Sequence, residues 1–171
     1  MLGLAIGVLI IRLVLGLTIA AHGAQKLFGW FGGSGLTGFR GVMAKLNIRP
    51  PAPFALLAGL GEFVGGLLVA LGFLSPAGPL LVAGAMVVAI VTVHLGKGFF
   101  NSKGGYEFPL LIAGTGVALS MMGPGPYSLD GVLRLSLPEP GTWIVFAVLS
   151  AGGVVLALGS RLVGRRRLEL G

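Results

Sequence analysis

Five stretches of the chain are almost entirely hydrophobic, and shorter polar segments separate them. The stretches cover about residues 2–24, 54–74, 77–95, 107–122 and 142–160. A helix needs about 20 apolar residues to cross the ~30 Å hydrocarbon core of a bilayer. The pattern therefore predicts an all-α integral membrane protein, a four-helix transmembrane bundle with an additional C-terminal transmembrane helix. The fourth stretch is the shortest of the five.

Composition agrees with this class and suggests how the helices pack. Of the 171 residues, 55% are hydrophobic, 10% are charged and 32 are glycine. Small residues let membrane helices approach closely, so the glycines favour a packed bundle. We expect a four-helix membrane domain over 1–130, an extracytoplasmic connection and fifth helix over 131–160, and a basic cytoplasmic tail over 161–171.

The net charge of +7 has a clear distribution along the chain. Lysine and arginine collect after the first, third and fifth stretches, as Lys26, Arg40, Lys45, Arg49, Lys97, Lys103, Arg161, Arg165, Arg166 and Arg167. Because such residues concentrate in cytoplasmic loops, the N-terminus should face outward and the C-terminus inward across the plasma (inner) membrane. Topology accounts for the charge, so no nucleic-acid partner is expected. The chain has no cysteine, which excludes thiol and disulfide chemistry of its own.

The long connection between the first two stretches has an amphipathic pattern. Leu36, Phe39, Met43 and Leu46 recur at helical spacing, with cations between them. This fits a short helix on the cytoplasmic surface, held there by anionic membrane lipid. The many glycines of the segment are equally compatible with a loop.

Four ionisable residues lie within or at the ends of the hydrophobic stretches, each on a different one: His22, Glu62, His94 and Glu107. An ionisable side chain at membrane depth costs roughly 2.5–3.5 kcal/mol on insertion scales, so these positions are candidates for function. Counted along the helices, all four and Arg12 fall in the cytoplasmic half of the membrane.

Helical spacing places Glu62 on a face of small residues that includes Ala55, Gly59 and Gly66, so it should point into the bundle. Arg12 has a similar expected depth and the opposite charge. The pair Arg12–Glu62 is therefore the expected intramembrane ion pair, because either charge alone would be costly in lipid.

The two histidines, His22 and His94, leave several alternatives open. They can be axial ligands of a haem, or part of a metal site with Glu62 and Glu107. They can also make ordinary hydrogen bonds at the membrane interface. Finally, they can carry protons for a quinone head group, because an imidazole titrates near neutral pH. Of these alternatives, we favour a site without a bound metal, and we favour a quinone over a haem as the cofactor.

Several short motifs of the chain are similar to those of the DoxX family of small bacterial membrane proteins. The resemblance covers residues 12–130. Its motifs are Arg12-Leu13-Val14-Leu15-Gly16, His22-Gly23-x-x-Lys26-Leu27-Phe28-Gly29, Glu62-x-x-Gly65-Gly66, Leu71-Gly72-Phe73, Gly104-Gly105-Tyr106-Glu107 and Gly123-Pro124-Gly125-x-Tyr127-Ser128-Leu129-Asp130. The resemblance implies a four-helix membrane bundle, an association with redox functions, and a polar core of Arg12, His22, Lys26, Glu62 and Glu107.

The leading hypothesis is a redox-associated membrane subunit, for example of a quinone-linked oxidoreductase, with a cytoplasm-facing polar pocket for a quinone or similar lipophilic ligand. Glu62 and His22 are the expected catalytic residues, and Arg12, Lys26, His94 and Glu107 complete the expected ligand-binding set. Soluble redox proteins on the cytoplasmic side and a second copy of the chain are expected partners. The alternatives are a non-enzymatic anchor or assembly factor for soluble partners, and a small-molecule transporter.

Overall fold

The computed structural model describes residues 2–169 and the side-chain surroundings of residues 2–164. Within that range the chain is helical and contains no strand. The helices are α1 (Leu2–Phe28), α2 (Gly35–Lys45), α3 (Pro51–Leu71), α4 (Ala77–Ala89), α5 (Glu107–Met122), α6 (Leu129–Leu133) and α7 (Gly141–Glu169). The predicted fold class, an all-α membrane bundle, is confirmed.

All five predicted hydrophobic helices are present. Four segments are long and apolar enough to cross a bilayer: Leu2–Phe28, Pro51–Leu71, Ala77–Lys97 and Gly141–Gly164. α5 has 16 residues and is therefore about 24 Å long, slightly less than the hydrocarbon thickness. The fifth predicted span was expected to end at residue 160, but α7 continues as a helix to Glu169. The side chains of Arg165, Arg166 and Arg167 lie outside the described residues.

Successive spans run in opposite directions and give the bundle two distinct ends. Residues 29–50 and 95–106 connect spans at one end, here called the basic end because they carry Arg40, Lys45, Arg49, Lys97 and Lys103. Residues 72–76 and 123–140 connect spans at the opposite end.

Among the described helices, α1 and α3 pack against each other most extensively. Glycine makes this approach possible, because a Cβ added at Gly66 would lie 2.5 Å from the backbone nitrogen of Ala20 and one at Gly59 would lie 2.6 Å from the side chain of Leu27. Gly16 and Gly23 of α1 allow the same close approach to the backbone of α3. The register between the two helices is therefore set by backbone contact.

α4 changes its winding before it reaches the basic end. It continues as a π turn over Ile90–His94 and a 3-10 turn over Leu95–Lys97. α7 packs along the outside of this span, where the Ser150 hydroxyl donates to the carbonyl of Leu80 at 2.8 Å and Arg161 donates to that of Val91 at 3.0 Å. The fifth helix thus belongs to the bundle through α4.

The amphipathic segment between the first two spans is a helix, α2, and the helical prediction is confirmed over the loop alternative. Phe39 and Met43 are buried in a small cluster with Ile48 and Ala55. The cations Arg40, Lys45 and Arg49 are exposed. The apolar face of α2 therefore packs against the protein itself.

Candidate functional site

Glu62 and Lys26 form the ion pair at the centre of the candidate site. The ammonium of Lys26 donates to Oε1 of Glu62. The Glu62 side chain is only 4% exposed, whereas that of Lys26 is 27% exposed. A carboxylate buried to this degree is stable in its charged form only beside an opposite charge, which Lys26 supplies.

The position of Glu62 follows from the sequence of α3. Glu62 shares its buried face with Ala55, Gly59 and Gly66, as the spacing predicts. Because these small residues let α1 approach, Lys26 in the last turn of α1 comes within reach of the carboxylate. The predicted inward orientation of Glu62 is confirmed.

The second oxygen of this carboxylate is the unusual feature of the site. Glu62 Oε2 is buried, and no hydrogen-bond partner for it occurs among the described residues. Buried polar atoms nearly always have a partner, and leaving one without costs roughly 1–3 kcal/mol. Glu62 Oε2 is therefore available to accept a further hydrogen bond.

Helix α2 contributes to the same site from the basic end. The Lys26 ammonium lies 5.1 Å from the centre of the Phe39 ring, a cation–π contact. Phe39 is itself buried. The Lys26 side of the ion pair is therefore in contact with α2.

Arg12 does not pair with Glu62, and the predicted Arg12–Glu62 ion pair is wrong. Its guanidinium donates instead to backbone carbonyls, to Val69 at 3.1 Å, Ala70 at 2.9 Å, Tyr127 at 3.1 Å and Pro124. Val69 and Ala70 lie seven and eight residues beyond Glu62, which corresponds to roughly 10–12 Å along the helix. Arg12 is thus near the opposite end of the bundle, outside the half where its depth was predicted.

The physical reason is that the last carbonyls of a helix have no intrahelical partner. Arg12 donates to the carbonyl of Ala70 and to that of Val69, which also accepts from the N–H of Gly72, and so joins the end of α3 to the segment that follows α5. The depth of Arg12 along α1 does not predict these acceptors, because they depend on the register between α1 and α3.

Asp130 is a second buried charge at this end, and sequence reasoning did not identify it as a site. Its carboxylate accepts from the backbone N–H groups of Leu74 and Ser75, both at 2.9 Å. Its charge also interacts with that of Arg12. The two side chains together fasten the connections 72–76 and 123–130. The only sequence signal was its place in the Tyr127-Ser128-Leu129-Asp130 motif.

His22 is exposed on the outer surface of α1. Lys26, one turn later, reaches the ion pair because its long side chain extends around the helix toward α3. The structure therefore does not bring His22 to the buried carboxylate.

His94 and Glu107 both hold the connection of residues 95–106. Nδ1 of His94 lies 2.7 Å from the carbonyl of Gly104, and this nitrogen donates because a carbonyl can only accept. Glu107 Oε2 accepts from the backbone N–H of Asn101 at 2.9 Å. Both residues lie at the basic end, where the sequence placed them, and both have local partners there.

A metal centre would need several ligands close together. Over the part of the chain that the structure describes, no group of three or more histidine, aspartate or glutamate side chains is assembled. For a haem held by His22 and His94, the exposed position of His22 is unfavourable. The donor set of the site, a lysine–glutamate pair, suits an organic ligand better than a metal.

The sequence model of the DoxX family matches residues 7–95, which include Arg12, His22, Lys26, Glu62 and His94. No curated protein and no solved structure matches the chain. The motifs at 104–107 and 123–130 lie beyond the matched residues, so the resemblance there stays a prediction.

Proposed function

This chain belongs to the DoxX family of membrane proteins, many of which are linked to redox functions, and we propose that it binds a quinone or a similar lipophilic molecule at the Lys26–Glu62 pair. The single observation that supports this site is the buried Oε2 of Glu62, for which the described residues supply no partner. A bound molecule would satisfy that atom, and its apolar body would lie among the membrane helices.

Each residue of the site has a distinct part in this proposal. Glu62 contacts the ligand and takes up or releases a proton at Oε2. Lys26 balances the negative charge of Glu62, a role that the sequence predicted for Arg12. Phe39 contacts the ammonium through the face of its ring. When bound, a quinone would supply the electron-transfer chemistry.

We also propose the orientation predicted from the charges, with the N-terminus outside and the basic end on the cytoplasmic side of the plasma membrane. The Lys26–Glu62 pair would then lie on the cytoplasmic side of the bilayer, beneath α2. His22, His94 and Glu107 are not assigned to ligand contact in this proposal, because one is exposed and the others hold the connection 95–106.

The experiment is thermal unfolding of the purified protein in detergent, with and without decylubiquinone and its reduced form. A ligand present at about 100 times its Kd should raise the free energy of unfolding by about 2.7 kcal/mol. Glu62→Gln should lose most of this effect. Glu107→Gln is the matched control, since its carboxylate bonds Asn101 at the same end of the bundle. No stabilisation of the native protein, or equal stabilisation in both variants, would contradict the proposal.

A second function is favoured by the outer face of α2. Arg40 and Lys45 are exposed there while the apolar face is packed, and Arg49 is exposed in the connection that follows α2. A non-enzymatic anchor could use these cations to bind an acidic soluble protein. In that case replacing all three with glutamine should abolish partner binding in a pull-down, and Glu62→Gln should leave it intact.

A further inference from the structure

We infer that the Lys26–Glu62 site selects a neutral ligand that donates a hydrogen bond, so that of a quinone and its hydroquinone it binds the hydroquinone more tightly. The inference rests on the proposed function and specifies the chemical form of its ligand. It follows from the state of each polar atom in the pair.

The carboxylate oxygen without a partner determines what the ligand must offer. Because Glu62 Oε1 is bound to the Lys26 ammonium, the carboxylate is ionised, and an ionised carboxylate has no proton to donate. In this ionised state Oε2 acts only as an acceptor. A quinone carbonyl is also only an acceptor, and it cannot bond this atom. A phenolic O–H can, in a charge-assisted hydrogen bond that is stronger than a neutral one.

The charge of the site determines that the ligand is neutral. The charges of Lys26 and Glu62 sum to zero, and Glu62 is almost fully buried. A cationic amine would also donate to Oε2, but it would leave a net positive charge in a region of low dielectric constant. An anion would be repelled by the carboxylate. A neutral alcohol or phenol with an apolar body meets both conditions.

Lys26 is the group that could favour the oxidised form, because its ammonium can donate to a carbonyl. It is already engaged on two sides, by Glu62 Oε1 and by the face of the Phe39 ring. The ammonium has three N–H groups, so a further one can still donate to a ligand oxygen. That donor does not discriminate between the two forms, because a quinone carbonyl and a phenolic oxygen can both accept it. The hydrogen bond to Oε2, which only the hydroquinone can donate, therefore decides the preference.

The test compares three molecules of nearly the same shape under anaerobic conditions: decylubiquinol, decylubiquinone and the dimethyl ether of decylubiquinol. Binding to the detergent-purified protein is followed by isothermal titration and by thermal shift. Decylubiquinol should bind at least about tenfold more tightly than the other two, because only it provides the donor. The ether keeps the ring and tail of the quinol, so it isolates the contribution of the O–H groups.

Two variants locate the preference at the proposed atom. Glu62→Gln replaces one carboxylate oxygen with an N–H₂ donor, so the preference for decylubiquinol should fall to about twofold or less. Glu107→Gln should keep the full preference. The comparison among the three ligands on the native protein stands even if the Glu62 variant fails to fold.

The outcomes separate this inference from the proposed function. If decylubiquinone or the ether binds as tightly as decylubiquinol, the inference is overturned and quinone-type binding is retained. The same holds if Glu62→Gln keeps the full preference. If none of the three molecules binds, the proposed function fails and the inference fails with it.

Discussion

Arg12 and Glu62 are equally buried charges at different depths of one bundle, with 4% and 3% of their surfaces exposed, yet their surroundings differ. Arg12 donates to four backbone carbonyls and lies near the charge of Asp130. Glu62 has one oxygen on Lys26 and one without a partner among the described residues.

The difference arises from where each charge meets α3. Arg12 reaches the end of that helix, where carbonyls have no intrahelical partner. Glu62 lies in the middle, where every backbone N–H is already used within the helix. Only another side chain or a bound molecule can satisfy it. The comparison teaches that equally buried charges can have different surroundings, with several backbone partners at Arg12 and, among the described residues, a single partner at Glu62.

The largest expected effect is at Arg12. Arg12→Met removes the guanidinium that joins α3 to the segment after α5, so backbone carbonyls in both segments lose this donor and Asp130 loses a neighbouring positive charge. Unfolding in detergent should show a loss of about 3–5 kcal/mol. Arg134→Met is the control, because Arg134 is an exposed cation at the same end. A loss no larger than in that control would contradict a structural role for Arg12.

The next largest effect tests the register between α1 and α3, which sets the positions of Arg12 and Glu62. Gly66→Ala would place a methyl group 2.5 Å from the backbone nitrogen of Ala20, so overpacking should cost about 1–3 kcal/mol. At Gly65 the nearest atom would be in Val82 at 3.4 Å, which is ordinary contact. Gly65→Ala should therefore be nearly neutral in the same thermal unfolding measurement. Equal losses at both positions would show that the α1–α3 approach does not set the register.

A smaller effect is expected at Asp130. Asparagine keeps one oxygen but turns an amide toward the other N–H, so one of the bonds to Leu74 and Ser75 is lost. Asp130→Asn should cost about 1–2 kcal/mol, measured by denaturant or thermal unfolding. Glu139→Gln, an exposed carboxylate in the same connection, should change little. If the two substitutions have the same effect, Asp130 does not fasten these connections.

Much of this architecture could be predicted from the sequence, because hydrophobic length and helical spacing are properties of single segments. These properties predicted the five helices and the inward orientation of Glu62. The partner of Glu62 could not be predicted, since it depends on how α1 and α3 slide past each other. Arg12 was misassigned for a related reason: its acceptors are backbone carbonyls, which carry no residue signature.

The position of His22 shows a third limit. Spacing of four residues puts His22 and Lys26 on one side of α1, yet only Lys26 reaches the interior. The four-carbon side chain of lysine can bend around the helix, and the short imidazole side chain cannot. Side-chain length therefore decided which polar residue joined the site.

The most direct test of the central claim is to replace the ion pair with apolar residues of similar size. Lys26→Met with Glu62→Met removes both charges together, and such replacements of buried pairs are often neutral or stabilising. Thermal unfolding of this double variant, with and without decylubiquinol, should show stability within about 1 kcal/mol of the native protein and no response to the ligand. A loss of stability as large as that of Arg12→Met, or an unchanged ligand response, would contradict the division between a structural and a ligand-binding charge.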